Sequence, residues 1–139
     1  MPIKIPRDLL AELTTHALED DPNECCGLLF GTGGEADEVH RMTNVNSRPG
    51  DFYTMQSGEL VEAQDAVGKS DRELVAIYHS HAYREAYPSV IDVKNALKIA
   101  RISTTHVIIS LVEKAKPVIR AFSINGDSEV TELVIETGA

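Results

Sequence analysis

Residues Ala76–Val93 read AIYHSHAYREAYPSVIDV, and this stretch decides both the predicted fold and the predicted chemistry. The segment Glu73–His81, ELVAIYHSH, contains the apolar run LVAIY and predicts a buried β-strand that ends at His81. In an extended chain, residues two apart point to the same side, so we expect His79 and His81 to present two imidazoles on one face. Two imidazoles placed in this way are typical ligands of one metal ion.

The residues after His81, AYREAYP, are predicted to form a loop, and Ser89 is the predicted N-cap of the helix that follows. Asp92 then lies in the first helical turn, where its carboxylate can face the strand end. Taken alone, Ser-x-x-Asp is a variant of an ordinary capping box, and His-x-His is more often an exposed pair than a metal site. Their combination predicts a three-ligand zinc site with one position open for water, the pattern of catalytic zinc.

The rest of the chain predicts helices and strands in a simple order around this stretch. The predicted helices are RDLLAELTTHALEDD, with a stripe of Leu9, Leu10, Leu13, Ala17 and Leu18, then SGELVEAQDAVGKS, with Ser57 as N-cap, and SVIDVKNALKIARI, with a stripe of Val90, Val93, Leu97 and Ala100. The predicted strands are CCGLLFG, EADEVHRMTNV, ELVAIYHSH, THVIISLVE, KPVIRAFSI and SEVTELVIE. This order predicts an α/β (α+β) fold in which residues 1–139 form one domain, with a mixed, mostly antiparallel sheet flanked by helices.

Composition and charge argue against a membrane protein and against a nucleic-acid-binding protein. The chain has 139 residues, of which 42% are hydrophobic and 25% charged, as is usual for a soluble globular protein. The sequence contains no apolar run long enough for a membrane span and no N-terminal apolar segment, so we expect a cytoplasmic protein that does not bind membranes. The net charge of −9 argues against nucleic-acid binding, which needs clustered positive charge.

The cysteines and the remaining histidines could each be structural or functional. Cys25 and Cys26 are neighbours with no third cysteine to pair with, which fits a reducing compartment. One of them could be a nucleophile. The favoured interpretation is that both are small residues packed at the start of a strand. We expect His16 and His40 to lie on the surface and His106 to be packed or capped rather than a ligand.

A known family combines the His-x-His-x7-Ser-x-x-Asp pattern with a glutamate ahead of an apolar strand. The chain resembles the JAMM (MPN+) zinc metallopeptidases, and NECCGLLFG is similar to their glutamate segment. The resemblance is stronger to the small bacterial members that release cysteine from the C-terminus of a ubiquitin-like sulfur carrier. The segments that carry it are DPNECCGLL and FYTMQSGE. Ala82 departs from the pattern, since many members have proline there.

The resemblance implies a role for each matched residue. It implies a zinc ion bound by His79, His81 and Asp92, a general base at Glu24, and stabilisation of the tetrahedral intermediate by Ser89. The implied reaction is hydrolysis of the bond after the carrier's C-terminal Gly-Gly, within cysteine biosynthesis.

Other hypotheses about the function remain open beside the release of cysteine from a carrier. They are an isopeptidase that removes a ubiquitin-like modifier from lysines, a zinc hydrolase of small molecules or general peptides, and a scaffold without catalysis. A homodimer is also left open. The loop residues Tyr83, Arg84, Glu85 and Tyr87 either form a plain solvated loop or cover the substrate tail.

Overall fold

Eight strands form one mixed sheet in the computed structural model, which describes residues 2–99 and 103–138. The elements are β1 (Ile3–Lys4), α1 (Arg7–Asp20), β2 (Cys26–Thr32), β3 (Glu35–Met42), α2 (Ser57–Gly68), β4 (Glu73–His81), α3 (Val90–Ile99), β5 (Ser103–Ser110), β6 (Val118–Asn125), β7 (Val130–Leu133) and β8 (Ile135–Glu136). Across the sheet the order is β7-β6-β5-β4-β2-β3-β1-β8. Among the described strands, four pairings are antiparallel and three are parallel, which confirms the predicted sheet.

Helices α1 and α2 cover opposite faces of this sheet because side chains alternate along the central strands. Tyr78 of β4 packs into the cluster that includes Leu13 of α1. Its neighbour Ile77 packs into the cluster that includes Ala63 of α2. Fully burying one large apolar side chain stabilises a fold by roughly 1.5–3 kcal/mol, so these two clusters hold both faces of the sheet.

The connection from β4 to β5 positions the site. These two strands are parallel, and parallel neighbours require a crossover, which α3 provides. The N-terminus of α3 therefore starts close to the C-terminal end of β4. This topology brings Asp92 to the strand end that carries His79 and His81.

Strand β2 runs antiparallel to β4 and positions Glu24. Cys26 pairs with His79, and the backbone N–H of Ser80 donates to the carbonyl oxygen of Cys25 at 3.1 Å. Continuing this register by one more pair places Glu24 opposite His81. The ladder explains why a glutamate more than fifty residues away in sequence lies beside the histidines.

Several predictions about the helices were wrong in detail. The N-cap of α2 is Gln56, not Ser57, because the Gln56 side chain accepts from the backbone N–H of Glu59 at 2.6 Å. Leu18 and Val90 are exposed, so the predicted stripes of α1 and α3 are narrower than the sequence suggested. The side chains of Leu97 and Ala100, also placed in the α3 stripe, lie outside the described residues.

The predictions for three histidines had mixed outcomes. His16 is buried rather than on the surface, and its Nδ1 lies 2.7 Å from the hydroxyl oxygen of Tyr78. His40 is partly exposed and paired with Glu38, close to what was expected. His106 is buried, as predicted.

The strand prediction missed two short pieces. SEVTELVIE forms two strands rather than one, since the chain leaves β7 after Leu133 and continues as β8 beside β1. Strand β1 itself was not predicted. Each missed strand has two residues, too few for an alternating pattern to appear in sequence.

None of the helices in the described part of the chain has the length and apolar character needed to cross a membrane.

Candidate metal centre

Three side chains predicted to bind zinc meet at the end of β4. The Nε2 atoms of His79 and His81 are 3.0 Å apart, and Oδ2 of Asp92 lies 3.2 Å from the first and 3.0 Å from the second. All three residues are buried. Donor atoms held at about 2.0–2.1 Å by one tetrahedral zinc ion lie about 3.3 Å apart, so the spacing fits a shared metal ion.

The hydrogen bonding of His81 also fits a metal ligand. Its Nδ1 lies 2.9 Å from the carbonyl oxygen of Glu85, and because a carbonyl only accepts, Nδ1 must carry the proton. In the neutral ring Nε2 then has a free lone pair. The Nε2 atom lies 3.0 Å from Oδ2 of Asp92, and a cation bound between them satisfies both atoms. Fixing the ring through its other nitrogen is how proteins orient metal-binding histidines.

Burial and charge shift the titration of the other two groups. Burial lowers the pKa of His79, and the nearby carboxylate of Asp92 only partly opposes this effect. Burial alone would raise the pKa of Asp92, but the neighbouring histidines and the backbone N–H of Ser89 together hold it well below its usual range. At neutral pH the centre therefore offers a carboxylate together with a histidine whose protonation is disfavoured, a donor set suited to a divalent cation.

Ser89 and Asp92 form the predicted capping box at the start of α3. The backbone N–H of Asp92 donates to Oγ of Ser89 at 3.0 Å, and the backbone N–H of Ser89 donates to Oδ2 of Asp92 at 2.9 Å. The same pair that begins the helix thus orients the carboxylate toward the histidines. Among the described residues, the Ser89 hydroxyl donates no hydrogen bond of its own.

Glu24 is a nearly inaccessible carboxyl group, with a relative exposure of 1%. Its Oε2 accepts from Nη2 of Arg84 at 3.0 Å, while Oε1 has no hydrogen-bond partner within the described residues. Burial and the negative charge of Asp92 raise its pKa to about 8, against the opposing effect of Arg84. A carboxyl group with one free oxygen and a pKa near neutrality is well suited to exchange protons.

Three further residues support the site, and the sequence did not single out their contacts. The ring of Tyr53 stacks on His79 at a centroid distance of 4.5 Å. The side chain of Asn44 donates to the carbonyl oxygen of Glu24 at 2.9 Å, and Arg84 pairs with the Glu24 carboxylate. Tyr53 lies in the segment FYTMQSGE, and Arg84 lies in the loop between the proposed ligands. Their partners, His79 and Glu24, are distant in sequence, so the contacts could not be predicted from local patterns.

The two cysteines are packed residues, as favoured. Cys25 and Cys26 are buried and not bonded to each other. Burial raises the pKa of the Cys25 thiol to about 12 and that of Cys26 further still. Neither thiol ionises near neutral pH, which argues against a cysteine nucleophile.

Comparison with known proteins identifies the family. The model for prokaryotic homologs of the JAB domain matches residues 6–125. The chain belongs to this JAB (JAMM/MPN) family. A match of this extent covers every element from α1 to β6, including the whole metal centre.

Two relatives and one solved structure agree with this assignment. The CysO-cysteine peptidase of Mycobacterium tuberculosis is 38% identical over 130 residues, covering 92% of this chain and 86% of that protein. A probable TtuB-protein conjugate cleaving protease of Thermus thermophilus is 37% identical over 92 residues, covering 66% of this chain and 62% of that protein. A solution structure from Desulfitobacterium hafniense has a TM-score of 0.82 at 31% identity, covering 96% of this chain and 91% of the other. These similarities place the chain among the peptidases of the family.

Proposed function

We propose that this chain is a zinc-dependent peptidase that hydrolyses the bond after the C-terminal Gly-Gly of a ubiquitin-like sulfur carrier and releases cysteine. One observation carries the proposal: the convergence of His79, His81 and Asp92 beside the buried carboxyl group of Glu24. The similarity to a CysO-cysteine peptidase over most of both chains supports the substrate class. We infer that residues 1–139 act as one catalytic domain in the cytoplasm.

His79, His81 and Asp92 would hold the metal ion. Two imidazoles and one carboxylate are a common protein ligand set for catalytic zinc, and zinc is the ion we propose. When bound, zinc lowers the pKa of water toward about 7 and polarises a carbonyl group.

Glu24 would act as the general base and then as the general acid. It takes a proton from the attacking water as the oxygen bonds to the carbonyl carbon of the last glycine. It then delivers that proton to the leaving nitrogen as the C–N bond breaks. The products are a carrier that ends in a glycine carboxyl group and a free amine; the carboxyl group then releases its proton and the amine takes one up, so atoms and charge balance as carboxylate and ammonium.

Ser89 would stabilise the charge that develops on the carbonyl oxygen. Its Oγ is held by the backbone N–H of Asp92, which leaves the hydroxyl proton free to be donated. A fixed donor aimed at a developing oxyanion is among the larger contributions to catalysis. The capping box thus serves both helix geometry and the reaction.

The carrier tail would enter between two loops. Strands β2 and β4 are each paired on both sides, so neither has a free edge for an added strand. Two loops border the site instead: residues 49–54, which contact Glu24, Arg84 and His79, and residues 82–88. A flexible Gly-Gly tail has no side chains to grip, so its backbone must be recognised by such segments.

A second candidate is an isopeptidase that removes a ubiquitin-like modifier from protein lysines. The similarity to a probable TtuB-protein conjugate cleaving protease favours it, although the match covers less of each chain. A non-catalytic scaffold is disfavoured because the metal-binding set and Glu24 come together at one place. The two reactions differ only in what is attached to the leaving nitrogen.

A competition between two conjugates tests the proposal. The zinc-loaded protein is incubated with equal amounts of a CysO carrier ending in Gly-Gly-Cys and of the same carrier linked through Gly-Gly to a lysine side chain. Intact-mass spectrometry should show faster loss of one cysteine residue from the first. Faster cleavage of the lysine conjugate would favour the isopeptidase, and cleavage of neither would contradict both.

A further inference from the structure

Arg84 lies on a loop whose backbone is fastened to the metal centre. The carbonyl oxygen of Arg84 accepts from the Ser110 hydroxyl at 2.7 Å, and the next carbonyl, that of Glu85, accepts from Nδ1 of His81 at 2.9 Å. Ala86 is buried beside this point. The backbone at Arg84 is therefore fixed relative to His81, although the surface of the loop is exposed.

The guanidinium of Arg84 is only partly engaged. Its Nη2 donates to Oε2 of Glu24 at 3.0 Å and to the backbone oxygen of Asp51 at 3.2 Å. Among the described residues, Nε and Nη1 make no hydrogen bond, and 44% of the side chain is exposed. One end of a planar cation is thus held at the proposed base, while the remaining donors face solvent at the mouth of the site.

The charges around this cation are negative. Glu24 contacts it directly, with Nη2 of Arg84 at 3.0 Å from Oε2 of Glu24. Asp51 also lies beside it, although the Asp51 carboxylate is paired with Arg48 at 2.7 Å. The guanidinium of Arg84 is thus a positively charged group in direct contact with the proposed base, where an entering carboxylate could be bound.

We propose that Arg84 binds the α-carboxylate of the leaving residue and so selects carriers that end in one amino acid over lysine-linked conjugates. This inference rests on the proposed function. Cysteine released from a carrier bears its carboxylate two bonds from the leaving nitrogen, close to where Glu24 must deliver its proton. The unengaged Nε–H and Nη1–H groups can donate charge-assisted hydrogen bonds to that carboxylate.

An isopeptide offers no carboxylate to these N–H donors. The leaving nitrogen of a lysine side chain is followed by methylene groups, and the lysine main chain continues as neutral amides. The interaction would therefore be lost, and Arg84 would remain paired with Glu24 alone. On this view Arg84 determines specificity, whereas Glu24 performs the proton transfer.

Two carriers that differ in one group test the inference. A CysO carrier ending in Gly-Gly-Cys is prepared with a free carboxylate and with a C-terminal carboxamide, which has the same shape without the charge. Zinc-loaded wild type should cleave the carboxylate form with a kcat/KM about 10- to 100-fold higher, as expected for a charged hydrogen bond. Most of the difference should appear in KM.

Substitutions of Arg84 separate recognition from positioning of the base. Arg84→Gln should reduce the carboxylate-to-carboxamide ratio to near one, and Arg84→Lys should retain part of it. Arg72→Gln, which removes an arginine paired with Glu38 at the opposite end of β4, should leave the ratio unchanged. If Arg84→Gln slows both substrates equally, Arg84 only positions Glu24 and the inference is overturned, as it is if wild type shows no preference.

A binding measurement keeps the test independent of turnover. The zinc-loaded Glu24→Gln variant is titrated with synthetic peptides that end in Gly-Gly-Cys, with carboxylate or carboxamide termini. Tighter binding of the carboxylate peptide, abolished by adding Arg84→Gln, supports the inference, and equal binding contradicts it. If wild type cleaves neither carrier, the proposed function fails, and this titration still decides the role of Arg84.

Discussion

At the scale of single residues, Glu24 is the group whose environment is most closely tied to the proposed chemistry. A buried carboxyl group is costly unless it is paired, and Glu24 has one oxygen paired with Arg84 and the other free among the described residues. The pKa of about 8 follows from burial and from Asp92, so a bound cation near Asp92 should lower it. Proteins keep such groups mainly where protons are transferred.

Glu24→Gln should retain the metal and lose hydrolysis. Glutamine is nearly isosteric but cannot accept the proton, so we expect kcat to fall about a hundredfold or more. Steady-state kinetics and elemental analysis of the same preparation measure both quantities. Glu19→Gln is the matched control, since Glu19 is also paired with an arginine, Arg41 at 2.6 Å, but lies on the exposed side of α1.

Near wild-type turnover by Glu24→Gln would remove this residue from the mechanism. Loss of the metal along with activity would instead show that Glu24 is needed for the centre to form.

At the scale of elements, local capping was harder to predict than the elements themselves. Strand β4 has the predicted bounds because its apolar run is long and closed by a distinct motif. Helix α2 begins at the predicted Ser57, but its first turn is capped by the residue before it. Glutamine is an unusual N-cap, so sequence preference pointed to serine instead.

Gln56→Ala should destabilise the protein, and Ser57→Ala should not. The first change removes the acceptor for the backbone N–H of Glu59 and should lower the free energy of unfolding by about 0.5–2 kcal/mol. Urea unfolding at neutral pH measures both variants. A larger loss in Ser57→Ala would mean that serine is the cap in solution.

The loop from Ala82 to Pro88 is the element expected to recognise the substrate tail. Tyr83 is 66% exposed and Tyr87 is 48% exposed, with the ring of Tyr87 edge-on to Phe122 at 5.2 Å. Exposed aromatic rings on a backbone fixed to His81 are suited to cover glycine residues.

Tyr83→Ala and Tyr87→Ala should lower kcat/KM for a carrier substrate without changing zinc content. Activity on a short generic peptide should fall much less, because such a peptide does not use the loop. Kinetics with both substrates provide the comparison. Equal losses on both, or none on either, would mean that the loop is only a connector.

At the scale of the whole molecule, contacts between distant segments decide what could be predicted. The His79, His81 and Asp92 set was predictable because a strand end and a helix start are joined by one short loop. Glu24 was reached only through family resemblance, since nothing local distinguishes it from other glutamates. The burial of His16 depends on Tyr78, 62 residues away, and the Arg84–Glu24 pair spans 60 residues, so neither was visible in sequence.

The metal ion would link β4 and α3, which supply its ligands. Glu24, which lies just before β2, is placed beside them by the pairing of β2 with β4. The most direct test of this account is the zinc content per chain, measured by elemental analysis after dialysis, for wild type and His81→Ala. His40→Ala is the matched control, since His40 is paired with Glu38 on β3. We predict one zinc per chain in wild type and His40→Ala and almost none in His81→Ala, whereas equal zinc in all three proteins would contradict the assignment.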